Sequence, residues 1–208
     1  MDIAFVLYGQ MTALDLVGPY EVLAGHPQVK PHFVAETLGT VRCDNGLAIQ
    51  ADATFEDLPG AELIVVPGSS HWRTALDDDS LIRWLAAAHA TATWTTSVCT
   101  GSTLLAKAGV LTGRRATSHW VARDTLADDG AIVSSDRVVI DGDVITCAGV
   151  SAGIDMALTL AATLWGEPTA SAIQLALEYD PQPPFDHGSP EKAAPEIVAA
   201  VRAALGQA

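Results

Sequence analysis

One cysteine has surroundings that could make it a nucleophile. Cys99 follows the apolar segment 93–98, which predicts a buried strand, and precedes the segment 100–108, which predicts a helix. A strand that turns sharply into a helix needs small residues two positions before and after the turn, and Ser97 and Gly101 stand there. The pattern therefore predicts a nucleophile elbow that presents the Cys99 thiol, with Cys in place of Ser.

The start of a helix would also stabilise the ionised thiol. Unpaired amides and the helix dipole favour negative charge, so we expect the pKa of Cys99 to lie below the ordinary value of about 8.5. The same amides would stabilise charge that develops on a substrate. Thr100 supplies the first such donor, and the backbone of Gly68 and Ser69, after the neighbouring strand, supplies the second.

Two side chains are candidates to exchange protons with this thiol. Asp15 stands in the apolar segment 14–17, which suggests a carboxyl directed into a cleft with a raised pKa. A capping box with Thr12 explains the same residue equally well. His119 suggests a Cys-His dyad, but a histidine at a helix start can equally pack against Trp120 and bond to the backbone.

The other potential ligands and thiols have simpler interpretations. Cys43 and Cys147 are expected to be small core residues, although Cys147 ends a predicted strand and such ends line sites in open sheets. The three cysteines form no metal-ligand or disulfide pattern, and the acidic run 77–79 is typical of a helix start. Three residues are predicted to form pocket walls: Val150, Trp72 and Trp120.

The elements that must position these residues alternate along the chain. Strands are predicted at 2–8, 32–38, 62–67, 93–98 and 143–148. Helices are predicted at 19–25, 80–89, 100–108, 118–127, 152–164 and 169–179, with another from Pro195. Short strands or hairpins are expected at 40–51 and 131–141, and the proline-rich 180–185 should be irregular. The pattern predicts an α/β fold, a doubly wound and mostly parallel sheet with helices on both faces.

Bulk composition limits the possible partners and compartments. A chain of 208 residues fits one domain, 1–208, and its formal charge of -14 disfavours nucleic acid and anionic membranes. The N-terminal segment has an acid where a signal peptide carries basic residues, and no apolar run reaches the ~18 residues of a membrane span. We therefore expect a cytoplasmic protein with reduced thiols and no membrane partner.

Taken together, these motifs resemble those of the ThiJ/PfpI superfamily. The likeness runs through 14–19, 66–68, 96–102, 116–120, 151–155 and 177–185. The elbow segment is typical of the superfamily, a class I glutamine amidotransferase-like domain. The chain is most similar to the isonitrile hydratase branch of this superfamily at three places: Asp15, Thr100 and the segment 179–185.

The resemblance implies a flavodoxin-like homodimer that hydrates a small isonitrile to an N-substituted formamide without metal or organic cofactor. It implies that Cys99 is the nucleophile, Asp15 the general acid and base, and Thr100 the adjacent hydroxyl and amide. His119 would then contact substrate, since this branch uses the carboxyl. Ser69 and the pair Cys147-Ala148 depart from the glycines expected there.

The same residues are also compatible with other functions. A glyoxalase or deglycase activity would use the same thiol, and a redox or ligand sensor would use it without turnover. Similar domains precede DNA-binding regions in transcriptional activators. Only 42 residues follow Gly166, several of them prolines, so we do not expect such a region here.

Overall fold

The predicted apolar segments form a central sheet in the computed structural model, which describes residues 1–205. The strands are β1 (Asp2–Val6), β2 (Lys30–Ala35), β3 (Gly39–Arg42), β4 (Ala48–Ala51), β5 (Ala53–Thr54), β6 (Leu63–Val66), β7 (Trp94–Ser97), β8 (Arg115–Ala116), β9 (Ile132–Val133), β10 (Val138–Asp141) and β11 (Val144–Cys147). Seven of them pair in the order β10-β11-β7-β6-β1-β2-β5, and every pairing is parallel except β10 with β11.

Helices lie on both faces of this sheet. They are α1 (Ala13–Leu23), α2 (Trp72–Ala75), α3 (Asp79–His89), α4 (Gly101–Lys107), α5 (Arg123–Asp128), α6 (Ala152–Trp165), α7 (Glu167–Ala176) and α8 (Pro195–Leu205). Helix α6 packs against α1 and α7, whereas α4 packs against α3 and α5. The predicted α/β class is confirmed.

The central strands are apolar because both of their faces are covered. All four residues of β6 are buried, as are residues 3–6 of β1 beside it. Parallel strands between two helical layers have no solvent face, so they lack the alternation of an exposed sheet. Their carboxyl ends meet at one edge, and the loops after β6, β7 and β11 lie together there.

Helix α1 begins six residues before the predicted start at Pro19. The prediction placed Pro19 in the first turn, where its missing amide costs nothing, but the structure accommodates it inside the helix. Asp15 therefore lies in the first turn of α1. Thr12 precedes the helix, but its hydroxyl donates to Asp44 Oδ2 at 2.7 Å and does not cap, so the capping-box interpretation was wrong.

Smaller elements refine the prediction. Segment 40–51 is the hairpin of β3 and β4, and 131–141 contains β9 and β10, of which β10 is an edge of the main sheet. The predicted helix 118–127 is instead a short 3-10 helix at Trp120–Ala122 followed by α5. Segment 180–185 has no regular structure, as expected.

Within residues 1–205, no helix has the length and apolar character needed to cross a membrane. The assignment of 1–208 to a single domain stays a prediction, because residues 206–208 lie outside the described part of the chain.

Candidate active site

Cys99 lies in a sharp turn between β7 and α4, as the elbow pattern predicts. Its φ of 58° falls in the left-handed region, which is costly for any residue with a side chain. The turn is held by its own backbone: the Cys99 amide donates to Ala148 O at 2.9 Å, and the Cys99 carbonyl accepts from the His119 amide at 3.2 Å and from Ser118 Oγ at 3.0 Å. These bonds maintain a backbone geometry that the isolated segment would avoid.

Two glycines make room for the elbow. A Cβ at Gly101 would collide with the Val66 carbonyl oxygen, so only glycine fits two positions after the thiol. A Cβ at Gly68 would lie 2.5 Å from the Thr100 amide nitrogen and 2.9 Å from Asp15 Oδ2. The loop after β6 can approach the elbow and the carboxyl only because position 68 has no side chain.

Asp15 lies against Cys99 with no exposure to solvent. Its Oδ2 accepts a hydrogen bond from the Gly68 amide at 2.9 Å. Oδ1 is buried without a well-aligned partner among residues 1–205, although the Cys99 thiol is close enough to interact with the carboxyl group. The carboxyl therefore bonds to the loop after β6 beside the elbow and does not cap its own helix.

The thiol and the carboxyl form one buried, coupled acid pair. Burial raises the pKa of Asp15 to about 7, and the charge of Asp44 adds to the rise, while the Gly68 amide and the Cys99 thiol act against it. Burial, then the charge of Asp15, raise the pKa of the Cys99 thiol well above its ordinary value, against the amides of Val150 and Thr100. The pair thus retains a proton near neutral pH.

The direction of the Cys99 shift corrects a prediction. We expected a lowered pKa from the start of a helix, but α4 has only seven residues, and Cys99 is buried beside a carboxyl. Desolvation and a nearby negative charge both disfavour the thiolate, and they exceed the effect of the local amides. Asp15 is the buried acid adjacent to the thiol, with a pKa raised to about 7.

Thr100 and the loop after β6 are connected by paired hydrogen bonds. Thr100 Oγ1 donates to Ser69 O at 3.0 Å and accepts from the Ser69 amide at 2.8 Å. Ser69 Oγ in turn donates to Gln10 O at 2.5 Å. The Gly68 and Ser69 amides, predicted as oxyanion donors, already have internal acceptors in Asp15 and Thr100. In this geometry they position the carboxyl and the hydroxyl.

Of the two backbone amides that reach the sulfur, the sequence indicated that of Thr100 but not that of Val150. Amides of Val150 and Thr100 contact the Cys99 sulfur and favour its ionised form. Val150 was predicted only as a wall residue, and it does line the cavity beside the thiol. A backbone donor leaves no trace in residue type, because every residue but proline has one.

His119 lies beside Cys99 but is poorly suited to act as its base. Burial, together with the charge of Arg123, lowers the pKa of His119 to about 4, so the ring is neutral at physiological pH. Its Nδ1 accepts from the Val121 amide at 3.4 Å, and the ring tilts against Trp120 at 5.7 Å. This geometry agrees with the packing alternative, and the ring also lines the cavity.

A cavity of about 380 Å³, here called the reaction cavity, opens above the thiol. Its lining residues come from several loops: Thr12, Asp44, Asn45, Ser69, Ser70, His71, Trp72, Cys99, Thr100, His119, Val121, Val150 and Leu205. Trp72 is a wall residue as predicted, whereas Trp120 lines a neighbouring cavity. Asp44 was missed, because its segment 43–46 has the ordinary composition of a hairpin turn.

The arrangement can do covalent acid and base chemistry on a small carbon electrophile. The Cys99 thiol lines the cavity beside a fully buried carboxyl, and two amides can hold negative charge on sulfur. In residues 1–205, His, Cys, Asp and Glu side chains form no group of three or more able to hold a metal ion.

Comparison with known proteins places this site in a family. Residues 1–163 match the DJ-1/PfpI family. The chain is 46% identical over 198 residues, 95% of its length, to a Pseudomonas putida protein named isonitrile hydratase, and covers 87% of that protein. It is 34% identical over 67% of its length to a Pseudomonas aeruginosa protein named HTH-type transcriptional regulator CdhR, covering 42% of it.

A solved structure has the same fold over almost the whole chain. It is described as a ThiJ/PfpI family protein from Pseudomonas syringae, with a TM-score of 0.95 and 39% sequence identity over 99% of this chain and 86% of that one. The elbow cysteine and its buried carboxyl partner both lie within the matched residues 1–163. This chain is therefore a member of the DJ-1/PfpI family.

Proposed function

We propose that this protein is an isonitrile hydratase, which converts an isonitrile and water to an N-substituted formamide. The observation that carries the proposal is the 46% identity over 95% of the chain to the Pseudomonas putida protein of that name. The pairing of a buried thiol with a buried carboxyl supports it independently, because hydration of an isonitrile needs both a nucleophile and a proton for carbon.

In the first step, the Asp15 carboxylate takes the thiol proton of Cys99. The thiolate attacks the terminal carbon of the isonitrile, a C–S bond forms, and the electron pair that develops on carbon takes the proton back from Asp15. The product of this step is a thioimidate, R–N=CH–S–Cys99. One carboxyl thus serves as base and then as acid, and a pKa of about 7 suits it to both tasks.

In the second step, water attacks the thioimidate carbon while the Asp15 carboxylate removes one of its protons. That proton passes to the nitrogen, which leaves Asp15 as a carboxylate. Asp15 then takes the remaining hydroxyl proton as the C–S bond breaks and the electron pair returns to sulfur, so that R–NH–CHO leaves, and transfer of this proton to sulfur restores the Cys99 thiol. The amides of Val150 and Thr100 would stabilise the departing Cys99 thiolate. The chemistry uses only these groups and water, so the proposal includes neither a metal nor an organic cofactor.

The remaining site residues have supporting roles in this proposal. Gly68 holds Asp15 through its amide, and Ser69 holds the Thr100 hydroxyl through its amide and carbonyl. His119, neutral at the cavity wall, contacts the substituent on the isonitrile nitrogen. The substrate is therefore a small molecule whose carbon end reaches the cavity floor.

The test is turnover of two substrate classes by the purified protein. We expect a simple isonitrile such as cyclohexyl isocyanide to be converted to its formamide, and methylglyoxal to persist. Quenched samples analysed by intact mass should contain protein heavier by the mass of one isonitrile. Consumption of methylglyoxal while the isonitrile persists would replace this function with a glyoxalase or deglycase activity.

We further propose a homodimer located in the cytoplasm. The dimer is implied by the family resemblance, and the compartment by three cysteines that lie far apart along the chain and form no disulfide in the described residues. Light scattering coupled to gel filtration should give twice the 21.7 kDa mass of the chain.

A further inference from the structure

A second cavity lies directly beside the reaction cavity. It has a volume of about 390 Å³, and His119 and Val150 line both this cavity and the reaction cavity. Arg123 and Arg137 line it, and the segment 188–191 forms its outer wall. Neither arginine has a role in the proposed hydration.

Positive charge is concentrated here in a strongly acidic protein. The chain has a formal charge of -14 and only 11 Lys and Arg residues in total. Besides the two lining arginines, Arg202 lies with its guanidinium 4.9 Å from the Trp120 ring centre, and Trp120 lines the same cavity. An anion would be repelled by most of the protein surface but attracted to the second cavity.

The two lining arginines differ in how their charge is used. Arg137 forms an ion pair with Asp155 and donates to Ser151 Oγ at 3.2 Å, so its guanidinium is already compensated. Arg123 has no carboxylate within 4.0 Å among residues 1–205. Its one hydrogen bond, from Nη2 to Ser135 O, is 3.5 Å long.

Arg123 therefore has unused donor capacity inside the molecule. Its Nε is buried and has no hydrogen-bond partner in the described chain, which is costly for a charged group. Glu191, an exposed acid that lines the same cavity, senses the Arg123 charge without forming an ion pair. A planar guanidinium in this state suits a carboxylate, whose two oxygens it can bind together.

We propose that the second cavity binds a carboxylate carried on the nitrogen substituent of the substrate, and that Arg123 is its principal donor. This rests on the proposed function and names its substrate class: isonitriles that also bear a carboxylic acid. The isonitrile carbon would reach Cys99, the substituent would pass between His119 and Val150, and the carboxylate would end at Arg123.

The test compares acids with their esters. Parent protein is assayed with isocyanoalkanoates of increasing chain length and with their methyl esters, which have the same isonitrile but no charge. At one chain length we expect the acid to exceed its ester in kcat/KM by about tenfold or more. In Arg123→Gln this acid-to-ester ratio should fall to about one, and Arg123→Lys should retain part of it.

Two further variants serve as controls, one that should raise the acid-to-ester ratio and one that should leave it unchanged. Glu191→Gln removes the acid on the outer wall, so the acid-to-ester ratio should rise by about twofold to fivefold. Arg83→Gln removes an equal charge from the exposed face of α3, where its side chain is 75% exposed, and should leave the ratio at the parental value.

The outcomes separate the two proposals. If parent protein hydrates the esters but prefers the acid at no chain length, or if Arg123→Gln keeps the parental ratio, the carboxylate site is overturned and the hydratase function stands. If neither acids nor esters are hydrated while cyclohexyl isocyanide is, the carboxylate site is overturned and the hydratase function stands. If cyclohexyl isocyanide is not hydrated either, the function itself fails and the substrate class fails with it.

Discussion

Two cysteines at adjacent strand ends are almost equally buried, but only one is placed to react. Cys99 is 5% exposed and Cys147 is fully buried, and burial is the first cause of a raised pKa in both. Cys147 ends β11 in regular strand geometry, and its side chain remains in the core. Cys99, with a φ of 58°, leaves the strand direction and lines the reaction cavity.

The difference shows that backbone direction decides which thiol can meet a substrate. Both sulfurs experience the charge of Asp15, but only for Cys99 does a hydrogen bond with that carboxyl also contribute to the shift. Reactivity here depends on a turn that directs the side chain to a cavity, amides that contact the sulfur, and an acid that takes its proton. A low pKa of the isolated thiol is not part of this arrangement.

The sharpest way to test this contrast is to remove the reactive thiol. Cys99→Ala should lose isonitrile hydration by about 10⁴-fold or more, because Cys99 is the only cysteine among the described residues that line the reaction cavity. Steady-state turnover and intact mass after substrate addition measure the loss. Cys43→Ala, another buried cysteine away from the site, should keep parental turnover. Wild-type turnover by Cys99→Ala would remove the assigned role.

The next largest effect should come from the carboxyl that distinguishes the two thiols. Asp15→Asn keeps the shape of the side chain but cannot accept the Cys99 proton, so we expect kcat/KM to fall by about 10³-fold. Single-turnover mass spectrometry should show little thioimidate. Accumulation of thioimidate at the parental rate would instead restrict Asp15 to the hydrolysis step.

The buried carboxyl should also affect stability. The pKa of Asp15 rises from 3.8 to about 7 on folding, so the folded state binds its proton more tightly than the unfolded state. Its contribution is most favourable below pH 4 and is lost as pH rises to about 7, by roughly 4 kcal/mol at 1.36 kcal/mol per pKa unit.

Urea unfolding measured between pH 4 and pH 8 checks this contribution. Asp15→Asn has no such titration, so the difference in unfolding free energy between variant and parent should shift in favour of the variant as pH rises. A difference that stays constant over this range would mean that Asp15 is not neutral when buried.

The smallest effect is expected at the second cysteine. Cys147→Ala deletes a buried sulfur that lines neither the reaction cavity nor the second cavity, so kcat/KM should stay within about threefold of the parental value. The unfolding free energy should fall by about 1 to 2 kcal/mol, because the removed atom leaves a small void. A loss of turnover comparable to that of Asp15→Asn would show that Cys147 takes part in the chemistry.

Local patterns in the sequence predicted much of the fold. Strands β1, β6, β7 and β11 and helix α6 lie where apolar runs and spacing predicted them, because burial between two layers leaves a strong pattern in sequence. Helix α1 was placed too late, because a proline inside a helix is indistinguishable in sequence from one at its first turn.

The site residues also divide into those that the sequence predicted and those that it did not. Cys99 and Gly101 were evident from spacing, since the close approach of an elbow restricts residue size on both sides. Asp15 was evident as a charge among apolar residues, but whether it capped a helix or entered the site depended on the loop after β6. Asp44, the Val150 amide and Arg123 were not identified, because turns, backbone donors and partly exposed arginines are common everywhere.

The sequence by itself determined the layered sheet, the elbow and the residue types available for covalent chemistry, since these depend on neighbours along the chain. Only the tertiary structure decided the state of the Cys99 and Asp15 pair and the shape of the two cavities. Proton affinity depends on burial and on charges brought from distant segments, and a cavity exists only where several loops meet.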